Sequence, residues 1–135
     1  IPMAAGNSKM VGMPYAPLAH PRSAGTFSRV LGRYVRERKV LSLMNALRKM
    51  TLMPAERLDP VAPGMRLKGR VQIGCDADLT IFDPATVIDT ADFGKELSFA
   101  NGIPHVLVNG TFVVRDGKTV KDAFPGRPVL GKYRN

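Results

Sequence analysis

The sequence predicts an α+β chain in which helices come first and a small antiparallel sheet follows. Three observations carry that expectation. Residues 23–58 repeat apolar side chains on a helical period, residues 70–83 and 106–120 hold short apolar runs cut by turn residues, and a Pro/Gly-bearing stretch at 59–68 separates the two. The sheet so defined has four or five short strands. That few strands need another layer to cover them, so the chain is expected to be part of a larger unit.

Residues 1–22 are rich in Gly, Pro, Ser and Met and read as irregular, with Ile1 to Ala5 fitting a short strand. His20-Pro21-Arg22 closes this stretch, and the proline steers His20 toward extended backbone. Ser23 to Lys39 follows as an amphipathic helix. Phe27, Val30, Leu31, Tyr34 and Val35 share one face, with Arg29, Arg33, Arg36 and Glu37 assigned to the other, toward water. A second helix is capped by Ser42 and carries Leu43, Ala46, Leu47 and Met50 on its stripe. Met53 to Leu58 gives a third, short helical turn with Pro54 at its first position.

The hinge of the layout is Lys68 to Pro84. Val71–Ile73 and Leu79–Phe82 flank Gly74-Cys75-Asp76-Ala77, which reads as a strand pair about a turn, and Asp83-Pro84 stops the second strand. Residues 84–104 lack periodicity and are assigned to loop. Val106 to Asn109, Phe112 to Arg115 and Thr119 to Val120 are short strands joined by Asn109-Gly110 and Asp116-Gly117, the two strongest tight-hairpin dipeptides. The tail from Ala123 reads as extended or loose.

Composition excludes several classes. The 135 residues are 44% hydrophobic and 23% charged, the profile of a folded rather than a disordered chain. No apolar run approaches the ~20 residues that span a bilayer, and no leader pattern is present, so a cytoplasmic location without membrane contact is expected. The single cysteine, Cys75, excludes an internal disulfide and reads as a small turn residue rather than a nucleophile. A net charge of +9 raises nucleic acid as a partner. The densest cations, Arg29, Arg33, Arg36, Arg38 and Lys39, enclose Glu37 and alternate with no base-stacking aromatics, so nucleic acid is not the expected partner. A non-catalytic basic module that binds nucleic acid or an acidic partner is the alternative function.

No site closes from the residues alone. His20 and His105 are the only histidines and form no spaced ligand pair, so no metal is expected to be held by this chain. Asp76 and Asp78, two apart, read as turn and strand-entry residues before they read as an acid–base pair. No serine sits in a nucleophile elbow.

Longer motifs supply what single residues do not. His20-Pro21-Arg22 through Gly25-Thr26-Phe27 to Val30-Leu31-Gly32-Arg33-Tyr34-Val35-Arg36-Glu37 resembles a block of the N-acyl-D-amino-acid deacylases, the D-aminoacylase-like branch of the amidohydrolase superfamily. Ala46 to Thr51 and Pro54 to Leu58 are similar to the segment that follows it. Gly69-Arg70-Val71, Gly74 to Leu79 and Phe82-Asp83-Pro84 resemble a signature spread across amidohydrolases, and Val106 to Gly110, Val114 to Lys118 and Pro125 to Arg127 resemble the closing strands and tail. The resemblance covers residues 12–130.

It implies that the chain is the C-terminal part of a larger enzyme. Residues 1–59 would be the last strand, loop and helices of a TIM-like (β/α)8 barrel, and residues 60–135 the C-terminal strands of a small antiparallel β-sandwich domain. The implied chemistry is zinc-dependent hydrolysis of the non-peptide C–N amide bond of an N-acyl-D-amino acid, with metal ligands in a missing N-terminal barrel portion. In such enzymes an aspartate ending the last barrel strand moves the proton. Met10-Val11-Gly12 stands where the family has Ser-Asp-Gly, so Val11 occupies the expected aspartate position and no catalytic residue is intact. The chain alone is therefore expected to be inactive. His20 and Arg22 are the candidate substrate-carboxylate binders, arginine through its planar fork of donors. The same two residues would equally serve to anchor the loop to the following helix.

Overall fold

The computed structural model describes residues 21–93 and 98–132. Val11, His20 and the strand expected at Ile1–Ala5 lie outside the described residues. Two compact units divide the chain, one drawn from Ile1–Ser42 and Asp83–Gly102, the other from Leu43–Phe82 and Ile103–Asn135.

The first unit is built on one long helix. It begins as α1, Arg22–Arg29, and continues without a break as a π-helical stretch, Val30–Glu37. The wider winding shows in the Arg38 N–H, which donates to the Arg33 carbonyl at 2.9 Å. Lys39 takes a left-handed conformation, φ 53°, and across it the Val40 N–H donates to the Tyr34 carbonyl at 3.1 Å. That closure ends the helix in the manner of a Schellman turn. Gly25, Ser28, Leu31 and Gly32 are buried, and Val87 and Ala91 of the returning segment join them. The described residues of that segment form no helix or strand, as expected. Asp83 opens it by accepting from the Ala85 N–H at 2.9 Å and the Thr86 hydroxyl at 2.8 Å, and one antiparallel bridge pairs Ile88 with Asn101.

The second unit opens with α2, Leu43–Met50, and α3, Leu52–Leu58, which turn about Thr51. Pro54 is therefore the third residue of α3, not its first. A proline is tolerated there because no first-turn N–H has a partner inside the helix. Ala46 and Ala55 are the buried positions. Small side chains here let the chain approach closely: a Cβ on Gly69, φ +72°, would lie 2.6 Å from the Thr51 carbonyl oxygen. Pro63–Leu67 forms a 3₁₀ turn inside the stretch expected to be a plain linker.

The sheet is a four-stranded antiparallel meander of β1 Leu79–Ile81, β2 His105–Val108, β3 Thr111–Arg115 and β4 Lys118–Thr119. Leu79 faces Leu107 and Ile81 faces His105. Between β2 and β3 the register runs Val106↔Val114 and Leu107↔Phe112, so Val113 is the extra residue of a bulge. The two tight dipeptides behave as their composition demands. Asn109 and Gly110 take φ 46° and 75°, Asp116 and Gly117 take 51° and 72°, the paired positive φ of a type I′ turn.

One expected strand is absent. Val71–Ile73 forms no ladder among the described residues, and the partner of β1 is β2. The Cys75 N–H donates to the Gln72 carbonyl at 3.1 Å across Gly74, φ 85°, so a turn forms where expected. The excursion is closed lower down, where the Asp76 N–H donates to the Leu67 carbonyl at 3.0 Å. Val71 and Ile73 stand outside that closure at 90% and 102% exposure. A period of two apolar residues reports strand propensity, and a strand still needs a partner.

Candidate functional site

The most constrained polar arrangement of the first unit lies where the long helix meets residues 84–89. Gly25, Ser28 and Gly32 recur at three and four residues, which leaves a stripe with almost no side chain. A Cβ on Gly25 would lie 2.9 Å from the Asp89 Cβ, and one on Gly32 would lie 2.6 Å from the Val87 carbonyl oxygen. The helix therefore touches the segment with its backbone.

Two arginines beside the stripe grip the same segment. Arg29 places Nε at 2.8 Å and Nη2 at 2.7 Å from one oxygen, Oδ2, of Asp89. The Asp89 side chain is 6% exposed and that of Arg29 43%. The hydrogen bond it donates to Asp89, then the charge of that carboxylate, raises the Arg29 guanidinium above its ordinary value. One turn-pair further on, Arg36 Nη1 donates to the Val87 carbonyl at 2.6 Å and to the Pro84 carbonyl at 3.2 Å. Arg29 and Arg36 thus reach back to residues 84–89 and stay only partly in water, where their spacing suggested a fully solvated face. Periodicity separates apolar from polar positions and does not say what a long cation reaches. Arg38 lies over the Tyr34 ring at 5.9 Å. With these members engaged inside the chain, the basic cluster does not present itself as one open cationic face.

Arg22, the candidate substrate-binding residue within the described part, is the first residue of α1 and is exposed. Its carbonyl accepts from the Thr26 hydroxyl at 2.7 Å, and the Pro21 carbonyl accepts from the Gly25 N–H at 2.9 Å. His20, expected beside it, and Val11, expected at the proton-transfer position, are outside the described residues.

In the second unit Lys68 sits between two aspartates, Nζ 2.9 Å from Asp76 and 2.6 Å from Asp78. Asp78 also accepts from the Asn109 N–H at 2.8 Å, and the Gly110 N–H donates to the Ala77 carbonyl at 3.0 Å. Burial works against the Asp78 charge, but the bonds from Lys68 and Asn109 outweigh it and hold the carboxyl below its ordinary value. Burial likewise opposes the Lys68 charge and is outweighed by Asp78 and Asp76, so the ammonium is raised. Asp78 pins the 68–78 excursion to the β2–β3 turn, and Asp76 ties Lys68 within the excursion. The sequence signal for them was the Asp-x-Asp spacing; their lysine partner, ten residues earlier, had none.

The described residues do not fit a zinc ion. No three His, Cys, Asp or Glu side chains come together among them. His105 turns its Nδ1 to the Asp116 N–H at 3.2 Å and lies edge-on to Phe112. Cys75 is a half-buried free thiol. No described helix is long and apolar enough to cross a membrane.

No protein-family profile matches the chain. Individual proteins do. An N-acyl-D-aspartate deacylase of Alcaligenes xylosoxydans xylosoxydans is 41% identical over 116 residues, which is 86% of this chain and 22% of that protein. Among solved structures, an N-acyl-D-glutamate deacylase of Bordetella bronchiseptica, complexed with zinc and a phosphonate mimic of the tetrahedral intermediate, superposes with a TM-score of 0.72. It is 40% identical across 82% of this chain and 22% of its own. A D-aminoacylase with a binuclear metal centre gives 0.69 at 43% identity, across 76% of this chain and 21% of its own. Helices and meander thus match part of the amidohydrolase fold. Within that superfamily the chain belongs to the N-acyl-D-amino-acid deacylases, and it spans about a fifth of the length of the curated relatives it matches.

Proposed function

We infer that the chain is the C-terminal portion of a metal-dependent amidohydrolase that cleaves the amide C–N bond of N-acyl-D-amino acids, and that it is catalytically silent by itself. The observation that carries this is the 41% identity held over 86% of the chain. On this reading residues 1–59 end a (β/α)8 barrel and residues 60–135 contribute strands to a small β domain. On the same reading the zinc ligands lie in the barrel portion these residues do not include.

The chemistry left to this chain is recognition. Arg22 offers a planar pair of donors to the substrate carboxylate, and His20, two residues earlier in sequence, is the second candidate. Val11 has no atom that can take or give a proton, so it cannot serve the transfer expected at its position.

The test uses a chimera. Residues 12–130 replace the homologous stretch of the Alcaligenes N-acyl-D-aspartate deacylase, which keeps that enzyme's own residue at the position of Val11. Release of primary amine from N-acetyl-D-aspartate is expected from the zinc-loaded chimera and not from the chain alone. Valine placed at the preceding position should abolish turnover while zinc stays bound. A smaller exchange of residues 21–42 covers the case in which the large one fails to fold. Folded, zinc-loaded chimeras without turnover would refute the assignment, and turnover by the isolated chain would refute its silence.

A further inference from the structure

We propose that Asp89 is a positioning residue for carboxylate recognition: through Arg29 and the close seat of Gly25 it fixes the first turn of α1, where Arg22 stands. The proposal rests on reading Arg22 as the carboxylate binder.

Arg22, Gly25 and Arg29 follow one another at three and four residues, so they lie along one stripe of the helix. At the middle of that stripe the Asp89 carboxylate covers Gly25, with Oδ2 3.2 Å from where a Cβ would be. At its end both Arg29 nitrogens converge on the same oxygen. The Gly25 N–H and the Thr26 hydroxyl in turn hold the carbonyls of Pro21 and Arg22. Every link from Asp89 to the backbone of Arg22 is thus a contact or a hydrogen bond within two helical turns.

The base is equally fixed. Ile88, next to Asp89, exchanges backbone bonds with Asn101 at 3.0 and 3.4 Å, and Arg36 holds the Val87 carbonyl at 2.6 Å. An ion pair with one partner buried is a weak device for stability alone, since desolvation of the carboxylate offsets much of its attraction. It is a good device for setting an angle. Forked recognition of a carboxylate demands placement within about 0.5 Å, which a helix resting only on apolar contacts does not guarantee.

The experiment measures steady-state kinetics of the zinc-loaded chimera. Asp89→Asn keeps the size and loses the charge. It should raise KM for N-acetyl-D-aspartate roughly ten-fold and leave kcat within about two-fold, the pattern of lost uniform binding. Arg29→Gln, altered from the solvent side, should give the same KM-only rise. With the substrate's α-carboxylate converted to a carboxamide, parent and variants should converge in KM, an outcome that general loosening of the fold would not produce. An active parent whose Asp89→Asn variant loses kcat and thermal stability at unchanged KM would overturn the proposal alone. An inactive folded parent would refute the functional assignment and this proposal with it.

Discussion

Replacing Gly32 by alanine tests the claim that the long helix touches residues 87–89 with its backbone. Two effects oppose each other. Alanine is favoured over glycine inside a helix by about 1 kcal/mol. Against that, the new Cβ would run into Ile88 Cδ1 and stand 2.6 Å from the Val87 carbonyl oxygen and 3.2 Å from Ile88 Cα. A methyl tip can rotate away; a carbonyl that also accepts from Arg36 at 2.6 Å cannot move without breaking that bond. Overpacking of this kind costs about 1–3 kcal/mol, and loosening the seat weakens the Arg29–Asp89 pair as well. The clash should win, for a net loss of about 1–2 kcal/mol. With a urea m-value of about 2 kcal/mol/M, the unfolding midpoint followed by circular dichroism should fall by about 0.5–1 M. Gly126→Ala is the control, because its Cβ meets nothing within 4 Å and its φ is not in the left-handed region. It should be neutral or gain a few tenths of a kcal/mol. If Gly32→Ala matches the control, or stabilises by the full helix propensity, the helix does not pack as described.

Three further outcomes follow from other parts of the chain. Gly110→Ala should cost about 1 kcal/mol through backbone strain alone, since φ is +75° while the nearest atom to the new Cβ is 3.9 Å away; chemical denaturation checks it, and a null effect would refute the I′ turn. The Lys68–Asp78 pin should make stability pH-dependent at both ends. Asp78 is lowered in the folded state, so its contribution is present above its unfolded value of 3.8 and is lost as pH falls through the folded value below that. Lys68 is raised, so its contribution holds below 10.5 and is lost as pH rises through the higher folded value. Asp78→Asn should flatten the acid limb of a melting-temperature profile, and an unchanged limb would assign acid sensitivity elsewhere. Val71→Thr and Ile73→Thr, at side chains already in water, should shift the midpoint of this chain by less than about 0.5 kcal/mol equivalent; a larger loss would mean the segment is covered in solution.

What the sequence made legible divides along a physical line. The long helix is visible because its apolar residues repeat on the helical period from Phe27 to Val35, and the Asn109-Gly110 and Asp116-Gly117 turns are visible because few residues accept positive φ. The left-handed Lys39 that ends the helix was not, since nothing marks a lysine for that conformation. Arg29 and Arg36 were assigned to water because spacing sorts faces and is silent about reach. Gly25, Ser28 and Gly32 carried a readable hint: small residues at three and four positions mark a backbone approach. Their partner, sixty residues on, had no local signature at all. Of the site, the residues alone yield nothing; the reading of Arg22 as a carboxylate binder and of Val11 at the aspartate position comes from resemblance to whole blocks of a family.

The same division bears on why the chain is read as part of a larger protein. Its shape is set by local devices, namely tight turns at defined φ, a glycine seat and charged pins between segments. Its burial is thin by comparison. Among the described residues the buried apolar set is Leu31, Ala46, Ala55, Val87, Ala91 and Val106, and Val87 is its largest fully buried side chain. Meanwhile Val40, Met44, Phe93 and Phe124 stand 70% exposed or more. Burial at about 25 cal/mol per Å² of apolar surface is the main term that offsets the entropy of ordering a chain. A sequence 44% hydrophobic that leaves large side chains of both units in water has apolar surface in hand that its own folding does not use. The length of its relatives that this chain does not match would offer surface to cover it. The prediction for Val71 and Ile73 therefore reverses in the chimera: the threonine substitutions that are silent in this chain should destabilise the longer protein by about 1 kcal/mol or more each.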